Sequence, residues 1–349
     1  QAQSNREICQ TGIVNSNASP YNRYRTGNGL GYYFSTDSTE KNRGWFFLAF
    51  GRTRDYRADA GFTRRTDTNT LFFANRLSTE AKPKAKIIRV NWRQYAEINF
   101  DFKGRSQYNY FGTVIQFNLQ RNTSAFIETG VVFERLFEEE FGLKRTQTRG
   151  GAFFGEGERS TWQHYVDGGL NTTPTKKVTL NLFFRYLMNA YDFDFGGGAR
   201  FPRVSPAALI GSSQLDPGAG KQYDFRADVE YRPTDPLRIS FLYNKSRFER
   251  NDTGLTAYDS NIFSLRSTYQ FTRFTFVRAR LDYDSISSNA RGQVLFGWNP
   301  NPGTAFYVGY NDNFNYNGFN SYTGQLEPRF ERNSRTFFIR ASYLFRKSF

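Results

Sequence analysis

Thr336-Phe-Phe-Ile-Arg-Ala-Ser-Tyr-Leu-Phe-Arg-Lys-Ser-Phe349 is the stretch that decides the fold. Counting back by twos from Phe349 passes Lys347, Phe345, Tyr343, Ala341, Ile339 and Phe337, an apolar face apart from Lys347. The alternate positions Phe338, Arg340, Ser342, Leu344, Arg346 and Ser348 are mixed. A period of two is that of a β-strand. The pattern recurs upstream. Asp224, Arg226, Asp228, Glu230 and Arg232 share one face, and Phe225, Ala227, Val229 and Tyr231 take the other. Leu237, Ile239, Phe241 and Tyr243 alternate with Arg238, Ser240, Leu242 and Asn244. Phe263, Leu265, Tyr269 and Phe271 oppose Ser264, Arg266, Thr268 and Gln270. Val277, Ala279, Leu281 and Tyr283 oppose Arg278, Arg280, Asp282 and Asp284. In the first half Ile88, Val90, Trp92, Ala96, Ile98 and Phe100 alternate with Arg89, Asn91, Arg93, Glu97, Asn99 and Asp101.

Composition points the same way. Aromatic residues make up 18% of the chain, with 38 Phe and 22 Tyr, yet mean hydropathy is −0.67. Strands with lipid on one face and water on the other produce that mixture. No segment offers the run of about 18 apolar residues that a transmembrane helix needs. A membrane form of this chain is therefore a closed barrel, because closure pairs every strand's backbone groups in lipid. The prediction is an all-β, transmembrane antiparallel up-and-down barrel, one domain over residues 1–349, in the outer membrane of a Gram-negative bacterium. Spanning strands of about 9–11 residues give roughly 14 to 18 strands in a chain of this size.

Connections alternate in length. Short turns are expected at Arg121 to Thr123, Thr172 to Lys177, Pro233 to Pro236, near Thr272 and at Asn299 to Gly303. Long connections are expected at Arg52 to Asp67, Leu136 to Ser160, Phe193 to Lys221, Glu249 to Ser260 and Tyr316 to Asn333. Short periplasmic turns and long extracellular loops are the barrel pattern. Counting back from Phe349 gives about fifteen strands, the first at Arg23 to Ser35. One more at Glu7 to Asn15 makes an even count of about sixteen. The segments near Gly44 to Gly51 and Thr68 to Leu77 are ambiguous, with apolar residues on both faces.

The formal charge is +15, carried by 36 Arg and 11 Lys. The arginines sit at alternate strand positions among acids, not in one patch, which argues against nucleic-acid binding. The expected lumen-facing charges are Arg89, Arg93, Glu97, Asp101, Arg226, Asp228, Glu230, Arg266, Arg278, Arg280 and Asp282. Two compatible roles follow: Arg–acid ladders between strands, and a positive field favouring anionic solutes.

No catalytic constellation, metal site or cofactor motif emerges. His164, the only histidine, has Ser160 four residues before it and Asp167 three after. Those offsets fall on different strand faces. Cys9 is also alone, which rules out an internal disulfide and a thiolate metal site. Asn313-Phe-Asn-Tyr-Asn-Gly318 echoes the start of a calcium loop, but Gly324 stands where the closing acid belongs. Asp192, Asp194 and Glu138 to Glu140 are further loop acids.

Two resemblances add to this reading. An amphipathic last strand closing on Phe resembles the C-terminal signal by which the outer-membrane barrel-assembly machinery recognises its substrates. On that resemblance Phe349, Phe345 and Tyr343 form the assembly signal. Four segments in order are Ala58 to Asp67, Val277 to Tyr283, the Asn-Pro-Gly turn before Thr304 to Tyr310, and Phe338 to Arg346. They resemble a large, functionally uncharacterised outer-membrane barrel family whose members often carry an N-terminal carbohydrate-binding-like β-sandwich. The similarity covers most of the chain, against the C-terminal part of those proteins. The sandwich and the first part of the family's barrel are absent here. The chain is then a fragment, a shortened member or one section of a larger barrel. The family offers no catalytic residues to carry over.

The functional expectation is a porin-like passive channel that is not an enzyme, with lipid and lipopolysaccharide around it. The alternative is a scaffold barrel that anchors a protein partner on its long extracellular loops or in the periplasm.

Overall fold

The computed structural model describes residues 29–56, 66–138, 144, 153, 155–192, 215, 217–285, 287–301, 303–320 and 325–344. Its strands are β1 (Gly31–Thr39), β2 (Arg43–Arg52), β3 (Thr68–Ser78), β4 (Ile87–Phe100) and β5 (Ser106–Leu119). Next come β6 (Thr123–Leu136), β7 (Arg159–Thr175), β8 (Val178–Tyr191), β9 (Ala219–Thr234) and β10 (Leu237–Arg250). The series ends with β11 (Thr256–Gln270), β12 (Thr275–Asp284), β13 (Asn289–Asn301), β14 (Thr304–Asn320) and β15 (Gln325–Tyr343). Each pairs with its neighbour in sequence, so fifteen strands form one sheet. Every pairing is antiparallel. This is the all-β, antiparallel up-and-down order of a barrel wall that the alternation predicts.

The ambiguous segments near Gly44 and Thr68 are strands, β2 and β3. Of the strand expected at Arg23 to Ser35, residues 23–28 lie outside the described residues, and β1 takes up the rest from Gly31. The candidate at Glu7 to Asn15 lies outside the described residues.

One end of the sheet carries short turns, at 40–42, 120–122, 176–177, 235–236, 271–274 and 302–303, with a longer one at 79–86. Arg121 and Asn122 both have positive φ, 59° and 49°, the paired left-handed conformation that matches strand twist in a tight hairpin. The other end carries the long connections 53–67, 137–158 and 192–218. Two expected long connections are instead largely strand. β10 runs to Arg250 and β11 begins at Thr256; β14 runs to Asn320 and β15 begins at Gln325. Their apolar residues are few and do not alternate, and so they read as loop. The ladder nonetheless continues, with Arg247 opposite Asp259 and Lys245 in an ion pair with Asp259 at 2.7 Å.

The register keeps each face consistent from strand to strand. Val229, Phe241, Leu265 and Leu281 stand directly opposite one another across β9 to β12. Glu230, Ser240, Arg266 and Arg280 do the same on the reverse face. A slip of one residue would exchange the two sets. The apolar face is bare: Leu281 is 55% exposed and Ile339 61%. Near its upper limit rings run across strands, with Tyr243 and Phe263 at 4.6 Å and Phe263 and Tyr283 at 6.3 Å.

Among the described residues β1 pairs only with β2, and β15 only with β14. Both run from the long-connection end to the short-turn end.

Candidate functional site

The polar face is the candidate site. One row crosses it through Arg76, Arg93, Val114, Glu128, Asp167, Arg185, Asp224, Ser246 and Ser260. Antiparallel neighbours on one face come within side-chain reach, and the contacts follow. Arg185 grips Asp167 with Nε at 2.9 Å and Nη2 at 2.5 Å. The Ser246 hydroxyl donates to Asp224 at 2.5 Å. Tyr110 donates to Glu128 at 2.6 Å, and the Tyr165 hydroxyl lies 2.6 Å from that of Tyr110. The Tyr165 ring reaches these groups by lying across Gly130 and Gly112. A Cβ on Gly130 would sit 2.7 Å from the Tyr165 ring and 2.3 Å from the Phe111 carbonyl.

The charged residues singled out by sequence take different partners. Arg89 donates to the Lys41 carbonyl at 3.0 Å, and Arg93 to Gln116 at 3.0 Å. Glu97 accepts from Asn99 at 2.7 Å. Arg226 lies 3.4 Å from Asp228. Glu230 takes Arg232 at 2.7 Å and also Arg238. Asp282 holds Arg280 at 2.5 Å and accepts from Ser264 at 2.6 Å. Arg278 lies over the Phe276 ring at 4.5 Å. Arg266 has no hydrogen-bond or ion-pair partner among the described residues. Tyr343 closes β15, and Phe345 and Phe349 lie outside the described residues.

Asp101 departs from its expected strand position. It stands one residue past β4, in the turn, and is 1% exposed. Its carboxylate accepts the backbone N–H groups of Lys103 at 2.9 Å and Arg105 at 2.7 Å, and the Arg105 Nε at 2.6 Å. Burial pushes the Asp101 carboxyl up, but the hydrogen bonds from Arg105 and Lys103 outweigh it and hold it below the usual carboxylate range. A depressed folded-state pKa means stability that is present above the unfolded value and lost as pH falls through the folded one. Asp101→Ala is expected to cost about 1–3 kcal/mol, because it strands a charged donor and two amides. Urea unfolding of vesicle-embedded protein measures this. The wild-type and variant midpoints should converge in strong acid.

Sequence reasoning missed the groups that build the long-connection end. Arg250 is fully buried and is ion-paired with Asp252 at 2.8 Å and Asp192 at 3.9 Å. It also donates to the Leu215 carbonyl. Arg159 donates to the Pro217 carbonyl at 2.8 Å. Arg105 lies over the buried Phe137 ring at 4.1 Å. Nothing in their local sequence separates these arginines from the strand arginines, since their partners come from distant connections.

His164 stands in the row of Phe111, Val131 and Met188 on the apolar face. Asp167 is on the opposite face, held by Arg185. Ser160 shares the His164 face but lies four residues along β7. Among the described residues no cluster of three or more potential metal ligands occurs.

No family model matches the chain, and no curated protein does. Several solved structures are similar. The ferric enterobactin receptor of Pseudomonas aeruginosa, in a mutant form, is 9% identical with a TM-score of 0.40, covering 90% of this chain and 56% of its own. The siderophore receptor PirA of Acinetobacter baumannii is 9% identical with a TM-score of 0.34, covering 96% of this chain and 67% of its own. An anion-selective porin of Comamonas acidovorans is 9% identical with a TM-score of 0.29, covering 90% of this chain and all of its own. The chain thus spans about half the length of the enterobactin receptor, and at these scores the likenesses add nothing to the topology read from the strand pairing.

Proposed function

We propose that the chain forms, alone or as a section of a larger barrel, a porin-like passive channel in the outer membrane of a Gram-negative bacterium. In this reading the apolar face meets lipid and the polar face lines water. The short turns are periplasmic and the long connections extracellular. The observation that carries it is the register across β9 to β12. It collects Val229, Phe241, Leu265 and Leu281 on one face, and Glu230, Arg266, Arg280 and their neighbours on the other. About sixteen strands leave an aqueous lumen unless connections fill it. Solutes cross by diffusion, and no catalytic step is assigned. Purified protein in a planar lipid bilayer should give stepwise conductance that scales with salt. Folded protein that never conducts would overturn the channel.

A scaffold barrel is the second reading. It is favoured by Arg159 and Arg250, which are buried against the Pro217 and Leu215 backbone carbonyls at the long-connection end. Purification in mild detergent tests it: a stoichiometric partner held by the long connections supports the scaffold.

A further inference from the structure

We propose that Arg266, Arg278, Arg280 and Arg291, on the polar face of β11 to β13, form a binding subsite for a polyvalent oxyanion, a solute bearing phosphate or sulfate groups. The inference rests on the channel reading, which turns this face toward water.

Arg266 and Arg280 are direct cross-strand partners. Like charges placed opposite one another destabilise a sheet, so the pairing needs a reason. From β7 to β10 arginines have an acid beside them, as in Arg185 with Asp167 and Arg238 with Glu230, and the other opposed pair, Arg76 and Arg93, is held by the Glu40 carbonyl and Gln116. Here Asp282 is held by Arg280 and Ser264. Arg266 is left without an acid, and Arg278 with the Phe276 ring. Arg291 stands opposite Asp282 and donates to Asn289 at 2.9 Å.

The surroundings favour an anion of some size. The rows continue from the arginines into amides: Arg280 faces Gln293, which faces Asn311, and Arg291 faces Asn313. Guanidinium groups offer planar, bidentate donors to phosphate and sulfate oxygens. What sets this pair apart is that Arg266 has no hydrogen-bond or ion-pair partner among the described residues, and a local rule broken without compensation is where function is expected. The subsite therefore supplies positive charge from three neighbouring rows and neutral donors beside it. A single chloride needs neither.

Inorganic pyrophosphate is the probe. Calorimetry on folded wild-type protein in detergent at low ionic strength should give saturable binding. Pyrophosphate should also reduce the bilayer current. In Arg266→Gln/Arg280→Gln, affinity should fall at least tenfold. In Arg43→Gln, which removes one charge from a turn arginine paired with Glu40, it should not change. The single variant Arg266→Gln carries a second readout. Relief of repulsion should raise its urea midpoint while its pyrophosphate affinity falls, whereas an arginine with only a structural role would lower the midpoint. Absence of saturable wild-type binding, or equal loss in Arg43→Gln, overturns the subsite. Conductance without pyrophosphate binding removes the subsite and keeps the channel. Binding without conductance removes the channel and keeps the subsite.

Discussion

Arg250→Ala is expected to lower stability by about 3–5 kcal/mol, the cost of removing one partner of a buried ion pair. The Arg250 side chain is 0% exposed, between Asp252 and Asp192, and Asp192 is itself buried. Its guanidinium also holds the Leu215 carbonyl. A Cβ on Gly218 would lie 2.2 Å from the Arg250 Nη2, so the chain passes closely over the guanidinium there. Without the arginine, the buried Asp192 carboxylate loses a counter-charge and the segment before β9 loses its anchor. Two measurements check this. The urea midpoint should fall, and limited proteolysis should cut the connection between β8 and β9 well before the barrel unfolds. Arg250→Lys should recover only part, since an ammonium cannot reproduce the planar fork. A midpoint and cleavage rate equal to wild type would show that the cluster holds nothing together.

Leu281→Arg is the second large effect. Leu281 stands mid-row with Leu265, Phe241 and Val229 on the apolar face, and with Gly292 opposite it on β13. An arginine on the lipid face near the bilayer midplane costs about 2–4 kcal/mol. The reverse substitution one residue away, Arg280→Leu, puts an apolar group on the polar face and should cost far less. Folding of both variants into vesicles, followed by heat-modifiable migration, gives the comparison. If Arg280→Leu is the more damaging of the two, the facing of the sheet is inverted.

How much of this was legible in the sequence depended on which face decided each segment. From β9 to β12 one face is apolar and the other charged, so a count by twos located the strands and their register. β2 and β3 were ambiguous for a physical reason. Their polar-face positions hold rings, with Phe46 and Phe72 at 6.1 Å and Phe72 and Tyr95 at 6.3 Å, so both faces read as apolar. The outer parts of β10, β11, β14 and β15 read as loops because the apolar–polar alternation lapses there. Asp101 continued the charged alternation of β4 although its carboxylate closes a turn. The arginines at the long-connection end were illegible, since a buried guanidinium and a strand guanidinium are the same letter. The unmatched arginines of β11 and β12 became visible only when the register set Arg266 against Arg280.

The two edges of the sheet impose a rule of parity. β1 and β15 point the same way. Joining them directly would make a parallel seam, with evenly spaced, slanted hydrogen bonds, in a sheet whose other joints are perpendicular and paired. If every joint is to stay antiparallel, the strands standing between these edges must be odd in number, and one suffices. Leaving the edges open in hydrocarbon would cost several kcal/mol for each unmatched backbone group. In the proposed channel, whatever completes the wall would therefore arrive before or together with lipid, making insertion and closure one event.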